Sequence, residues 1–344
     1  MTVEDRLRLA WLGAHPERAR GWRERYGSAG AVLRAIGSGG IEIGPALREA
    51  ATVLAAARCE ELAALGVIPV FRGAAGYPAH LAELPDAPDL LFCRGGLPEQ
   101  PGVAVVGSRQ ASAYGLQLAE AFGRAVAGAG WPVVSGLARG VDGAAHRGTV
   151  GVGIGVAVLG CGPDVWYPAH HQQLGERLVA EGGAVVTEYP PGTPPEGWRF
   201  PPRNRIISGL SGAVVVVEAT ERGGALITAR TALEQGRAVF VVPGDVDRPT
   251  SKGCNLLIRD GAHPVLGPED LIEEVSLVLG RPPRAVRQSV ADDPLIRQLG
   301  EVGTTIEELA TALDLPVPQL LARLSRLEAE GVVRIEEGMV MPRG

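Results

Sequence analysis

One pattern fills the middle of this 344-residue chain and leaves little choice of fold. Six Val-rich runs, VAVVG (103–107), PVVSG (132–136), IGVAVLG (154–160), AVVTE (184–188), AVVVVEA (213–219) and AVFVVPG (238–244), alternate with helical runs at 114–128, 141–149, 168–180, 205–211 and 226–235. Within each strand run the apolar residues are continuous, where a strand wetted on one face would alternate. Such strands are buried on both faces. A strand followed by a helical crossover and another strand returns in parallel, so the repeat predicts a doubly wound parallel α/β sheet.

The flanks differ in texture. Residues 1–65 read as helices: Leu7, Ala10, Trp11 and Ala14 keep helical spacing, 46–65 is an Ala/Leu/Arg/Glu run, and Gly37-Ser38-Gly39-Gly40 separates the two. They predict a small bundle of helix-hairpin-helix or SAM-like kind, for packing or for DNA contact. GVIPVF (66–71) and DLLFCRG (89–95) read as two short strands before the repeat, and 265–279 as a last helix after it. Gly280 to Arg284 has linker composition. Helical runs at 294–300, 306–313 and 318–331 and a hairpin around Glu337-Gly338 then give a winged-helix pattern. The expected domains are 1–65, 66–280 and 289–344, with 281–288 as linker.

Composition narrows the class. At 46% hydrophobic and 21% charged residues the chain is an ordinary globular one. No run of 18 apolar residues occurs and charge begins at Glu4, so neither a membrane span nor a secretory signal is expected. Cys59, Cys93, Cys161 and Cys254 form no CxxC pair, which fits a reduced, cytoplasmic protein. The net charge of −6 makes a long nonspecific basic surface unexpected but leaves room for one basic groove. Residues 289–344 hold five arginines against ten acids, so the C-terminal module reads better as a protein contact than as a duplex reader.

The candidate chemistry lies in the loops after the strands, where doubly wound sheets bind ligands. The first loop offers Gly107, Ser108, Arg109 and Ser112 before a helix; alone, it is equally an ordinary turn with a surface arginine. The second repeats the formula with Ser135, Gly136, Arg139 and Gly140. Gly160-Cys161-Gly162-Pro163-Asp164 is again glycine-rich, Phe200 to Arg205 (FPPRNR) precedes a predicted helix, Glu221-Arg222-Gly223-Gly224 follows a strand, and Lys252 and Asn255 close the series. Glycines, hydroxyls and guanidiniums recurring along one sheet edge predict a groove that tracks phosphates. The loops lack GxGxxG with a ribose-binding acid, GxxxxGK[ST] and GxSxG, which speaks against dinucleotide cofactors, nucleotide hydrolysis and a nucleophilic serine. Asp142 and His146 at i and i+4, with His170 and His171, read as a helix N-terminal acid and packed or exposed histidines before they read as a metal site. No metal, cofactor or catalytic residue is expected.

Together GSRQASAYG (107–115), VVSGLARGVDGAAH (133–146), GCGPDVWYP (160–168), FPPRNRIISGLS (200–211), EATERGGALITARTALEQGRAVFVVPG (218–244) and KGCNLLIRDGA (252–262) resemble the DNA-processing protein A family (DprA, or Smf), in the family's order. YPAHLAELPDAPDLLFCRG (77–95) is similar to the segment that extends the family's Rossmann-like domain. The resemblance implies an extended Rossmann-like domain that binds single-stranded DNA, dimerises, protects incoming strands and loads the RecA recombinase in natural transformation. It places the family's phosphate-binding GSR motif on Gly107, Ser108 and Arg109 and its RNRI motif on Arg203, Asn204 and Arg205, with Phe200 contacting a base. Arg222-Gly223-Gly224-Ala225 departs from the family, many members of which carry serines there. A related Rossmann group hydrolyses nucleoside monophosphates and is known by PGGxGTxxE. Here 221–228 lacks the leading proline and the near glutamate, so that activity is the alternative.

Overall fold

The computed structural model describes residues 2–52, 55–280, 295, 298–299, 303–313, 315–317, 320–321, 324, 333–336 and 339–342. It contains two compact units, Met1–Pro283 and Arg284–Gly344.

The first unit opens with five helices: α1 (Val3–Ala10), α2 (Pro16–Tyr26), α3 (Ala29–Gly37), α4 (Pro45–Thr52) and α5 (Ala55–Ala64). Thr2 and Ser28 cap α1 and α3 by accepting from the backbone N–H three residues on, which satisfies one of the orphan donors at each start. α1 is buried on two sides. Leu9 and Leu12 pack with Val32, Leu33 and Ile36. Leu7 and Trp11 pack with Phe71, Leu90 and Phe92, where the Trp11 and Phe92 rings meet edge to face at 5.7 Å. Arg6 locks the same junction by an ion pair of 2.9 Å to Asp89.

A nine-stranded sheet follows. Its strands are β1 (Ile68–Phe71), β2 (Leu90–Gly95), β3 (Gly102–Val106), β4 (Val133–Ser135), β5 (Gly155–Val158), β6 (Ala184–Thr187), β7 (Ser211–Val216), β8 (Ala238–Val241) and β9 (His263–Pro264). The spatial order is β1-β2-β6-β5-β4-β3-β7-β8-β9. β3 to β9 run parallel, while the two leading strands extend the sheet antiparallel beside β6. The helices are α6 (Ala79–Ala82), α7 (Ala113–Gly128), α8 (Val141–Thr149), α9 (Gln172–Ala180), α10 (Phe200–Gly209), α11 (Gly224–Glu234), α12 (Pro249–Arg259) and α13 (Pro268–Leu279).

Both faces are covered, as the unbroken Val runs require. Along β3, Val103 and Val105 pack with Phe122 of α7, Ala144 of α8 and Leu271 of α13. Ala104 and Val106 pack on the other face with Ile206 of α10, Leu226 of α11 and Leu257 of α12.

Two expectations need correction. α10 begins at Phe200, five residues before the predicted start, because Pro201 and Pro202 sit in the first turn, where a missing N–H breaks no helical hydrogen bond. The last helix begins at Pro268, since His263 and Pro264 pair with β8 as a short edge strand.

In the second unit, β10 (Thr304–Thr305), α14 (Ile306–Ala312), β11 (Val333–Glu336) and β12 (Met339–Pro342) are described. Thr305 and Glu308 form a capping box at the start of α14. β11 and β12 make the predicted hairpin, and β10 adds a third antiparallel strand against β12. Most of the expected helices at 294–300 and 318–331, the hairpin turn and the 281–288 linker lie outside the described residues.

Candidate functional site

Strand order reverses between β3 and β7, so the crossovers leaving them diverge to opposite sides and open a crevice at their carboxyl ends. A groove of about 680 Å³ lies there. The β3–α7 loop lines it with Gly107, Ser108, Arg109 and Gln110, and the β4–α8 loop with Ala138 and Arg139. The first turn of α10 contributes Phe200, Pro201, Arg203 and Asn204. The start of α11 contributes Thr220, Gly223 and Gly224, with Thr228 behind them.

Two exposed guanidiniums, of Arg109 and Arg139, stand at this groove. The half-buried Phe200 ring lies near two cations: the Arg109 guanidinium is 4.9 Å from its centroid and that of Arg203 5.8 Å. Tyr167 is tilted against it at 5.4 Å. Gly160 supports the ring from below, since a Cβ there would come within 2.9 Å of it. Beside the first turn of α10, α11 starts after Gly223 with no side chain capping it, so its first N–H groups and the positive end of its dipole belong to the groove. The arrangement can hold anions along one wall and a flat apolar group on Phe200.

Arg203 is unlike the other two arginines. It is 4% exposed, donates from Nη1 to the Val158 carbonyl at 2.8 Å, and forms the groove's charged floor. Burial pushes it down to about 10, a value that still leaves it cationic at neutral pH. Burial pushes the facing Asp142 carboxyl up, Arg203 opposing the shift. Asp142 also accepts from the Gly136 N–H at 3.1 Å. Gly136 has to be glycine, because any Cβ would run into the Arg203 guanidinium.

Several residues read from the sequence as contacts lie elsewhere. Ser135 is fully buried and donates to the Val105 carbonyl at 2.7 Å; Ser135 and Gly136 are interior because β4 is a central strand. Gly140, at φ +78°, lets the second loop pass against the Ser108–Arg109 backbone and presents no donor side chain. Ser112 caps α7, and its hydroxyl donates to Glu218 at 2.6 Å. Arg205 is two residues from Arg203, about 200° around the helix, and so faces away. It is bound to Glu188 at 2.5 Å in a second cleft against α2. Lys252 is exposed and Asn255 bonds both polar groups of the Gly244 backbone; neither lines the groove. The 160–164 loop packs beneath Phe200, and Asp164 accepts from the Gly192 N–H at 2.9 Å.

His146 is fully buried on α8 and held down to about 3 by loss of water. His171 Nδ1 lies 2.9 Å from the Leu137 carbonyl. Among the described residues no three His, Cys, Asp or Glu side chains gather as a metal site would need.

The sequence reading missed Thr220, Thr228, Tyr167 and Glu218. Thr220 stands one residue before the Glu221-Arg222-Gly223-Gly224 loop that the sequence singles out, and nothing local marks it as part of that loop. Glu218 was hidden within a strand-like run, yet it is a 7%-exposed carboxylate, and a buried acid after four valines was the available clue.

A family model described as DNA recombination-mediator protein A matches residues 69–276. Protein Smf of Escherichia coli is 40% identical over 275 residues, covering 76% of this chain and 74% of that protein. The X-ray structure of DNA processing protein A from Streptococcus pneumoniae superposes with a TM-score of 0.66 at 34% identity, over 80% of this chain and 99% of that one. DNA processing protein A from Helicobacter pylori, whose structure describes a single-stranded DNA binding mode, superposes with a TM-score of 0.54 at 26% identity, over 59% of this chain and 94% of that one. No helix among the described residues is long and apolar enough to cross a membrane.

Proposed function

This chain belongs to the DNA recombination-mediator protein A family, and from that premise we propose that the groove at the β3–β7 reversal binds single-stranded DNA. One observation carries the reading: an immobilised, half-buried aromatic ring with an exposed arginine over it, set beside an uncapped helix start. That pairing suits a strand whose bases stack on a ring while its phosphates meet cations and N–H groups. Arg109 and Arg139 take phosphates, with Gly107, Ser108 and Asn204 beside them. Phe200 takes a base. Arg203 contributes its field from the floor. The H. pylori relative's binding of single-stranded DNA supports the assignment.

The protein then acts as a mediator in the cytoplasm, protecting an incoming strand and handing it to RecA during natural transformation, without cofactor or catalysis. It works as a homodimer through the α/β unit. The exposed apolar side chains of Leu266 and Leu277, 83% and 80% accessible beside the edge strand β9 and on α13, support a second copy covering this end of the sheet.

Fluorescence anisotropy with labelled single-stranded and duplex oligonucleotides across a salt series tests the groove. The expected result is a single-strand preference, weakening with a log–log slope of about −0.7 per phosphate contact. Equal binding of the duplex, or binding of neither, would reject it.

A further inference from the structure

In other doubly wound sheets the pyrophosphate of a dinucleotide settles on the N-terminus of the helix after the first parallel strand. Here that helix is α7, and its start already holds an anion. Glu218, at the end of β7, extends its carboxylate across the reversal point to the α7 cap. One oxygen accepts from the Ser112 N–H at 2.9 Å and the other from the Ser112 hydroxyl at 2.6 Å. The same hydroxyl accepts from the Gly115 N–H at 3.1 Å. Gly115 is what admits the carboxylate, since a side chain there would overlap it.

We propose that Glu218 determines the ligand class of this groove: its carboxylate plugs the α7 anion position from inside and so bars terminal phosphates and pyrophosphates of free nucleotides, leaving only a strand laid along the outer wall. The inference rests on the single-strand reading for what is admitted, but the exclusion stands on geometry alone. A phosphate entering the α7 start would need the donors that Glu218 occupies and would meet its negative charge at contact range. A strand on Arg109, Arg139 and Phe200 never enters that position. The same residue tethers the arginine loop at both ends, because the Glu218 carbonyl also accepts from the Ser108 N–H at 2.7 Å. Arg109 is thus held between two anchors on one residue.

The test uses the full chain, titrated with inorganic pyrophosphate and with AMP by calorimetry and phosphorus NMR, alongside a single-stranded oligonucleotide. Wild type is compared with Glu218→Gln, which keeps the shape and removes the charge, and with Glu218→Ser, which removes both. Near-UV circular dichroism establishes that each variant is folded. Glu218→Ser is expected to bind pyrophosphate and AMP at least about tenfold more tightly than wild type, with the ligand phosphorus resonances shifting, and Glu218→Gln, which loses the charge but still fills the position, to gain less. Wild type that binds pyrophosphate as tightly as the variants overturns the proposal, and so do folded variants that gain nothing. Failure of wild type to bind the oligonucleotide would remove the single-strand reading while leaving the pyrophosphate comparison legible.

Discussion

Arginines at this sheet edge divide by burial, and burial decides what each can do. Arg109 is exposed, so Arg109→Ala should weaken binding of every single-stranded sequence by about tenfold and flatten the salt slope by about 0.7, since phosphate contacts carry no base information. A loss confined to one base composition, read by anisotropy on homopolymers, would contradict the phosphate role. Arg203 is interior, and its seat depends on Gly136. Gly136→Ala should therefore cost about 1–3 kcal/mol of stability by overpacking, measured by urea unfolding. His146 sets a pH dependence. Its pKa in the fold is about 3 against an ordinary 6.5, so between those values the unfolded chain takes up a proton that the folded chain refuses. Its contribution is intact above about 6.5 and is lost as pH falls, at up to about 1.4 kcal/mol per pH unit. His80 and His171 are lowered by burial too and act in the same direction. In His146→Gln the decline on acidification should be shallower, seen as urea midpoints that move less between pH 7 and about pH 4.

At the scale of elements, α10 performs two tasks from one turn. Its first residues hold Phe200, Arg203 and Asn204 in the groove, and its buried face, through Ile206 and Ile207, anchors it to the sheet. The motif was legible as a motif; that it is a helix rather than a loop was not. Prolines normally mark a helix boundary from outside, and here they stand inside the first turn. α7 is held on the opposite face by Phe122, which is fully buried between β3 and α8 neighbours. Phe122→Ala should cost about 3–5 kcal/mol, read as a lower denaturant midpoint, with the groove residues unaltered.

For the molecule as a whole, the functional groove lies within Met1–Pro283. A chain ending at residue 283 should fold and bind single-stranded DNA within about twofold of full length. Loss of most of the affinity would move the DNA site to the C-terminal unit, whose five arginines among 289–344 are outnumbered by ten acids. The helical N-terminal segment is bound to the sheet through Leu7, Trp11 and the Arg6–Asp89 pair, so it bears on the stability of β1 and β2.

What the sequence determined by itself was everything carried by local periodicity and by contiguous motifs. Unbroken valine runs mean strands buried on both faces, strand–helix alternation means parallel crossovers, and GSR or FPPRNR is visible without neighbours. Only the tertiary structure decided which of those residues share a site. Strand order brought the loops of β3 and β7 together although they are about 110 residues apart. Helical phase sent Arg203 to the groove floor and Arg205 to the far side. Centrality in the sheet turned Ser135 from a donor into core, and the reach of Glu218 across the reversal point closed the α7 terminus. Contacts between residues distant in sequence depend on strand order and side-chain direction, and a single sequence read along its length encodes neither explicitly.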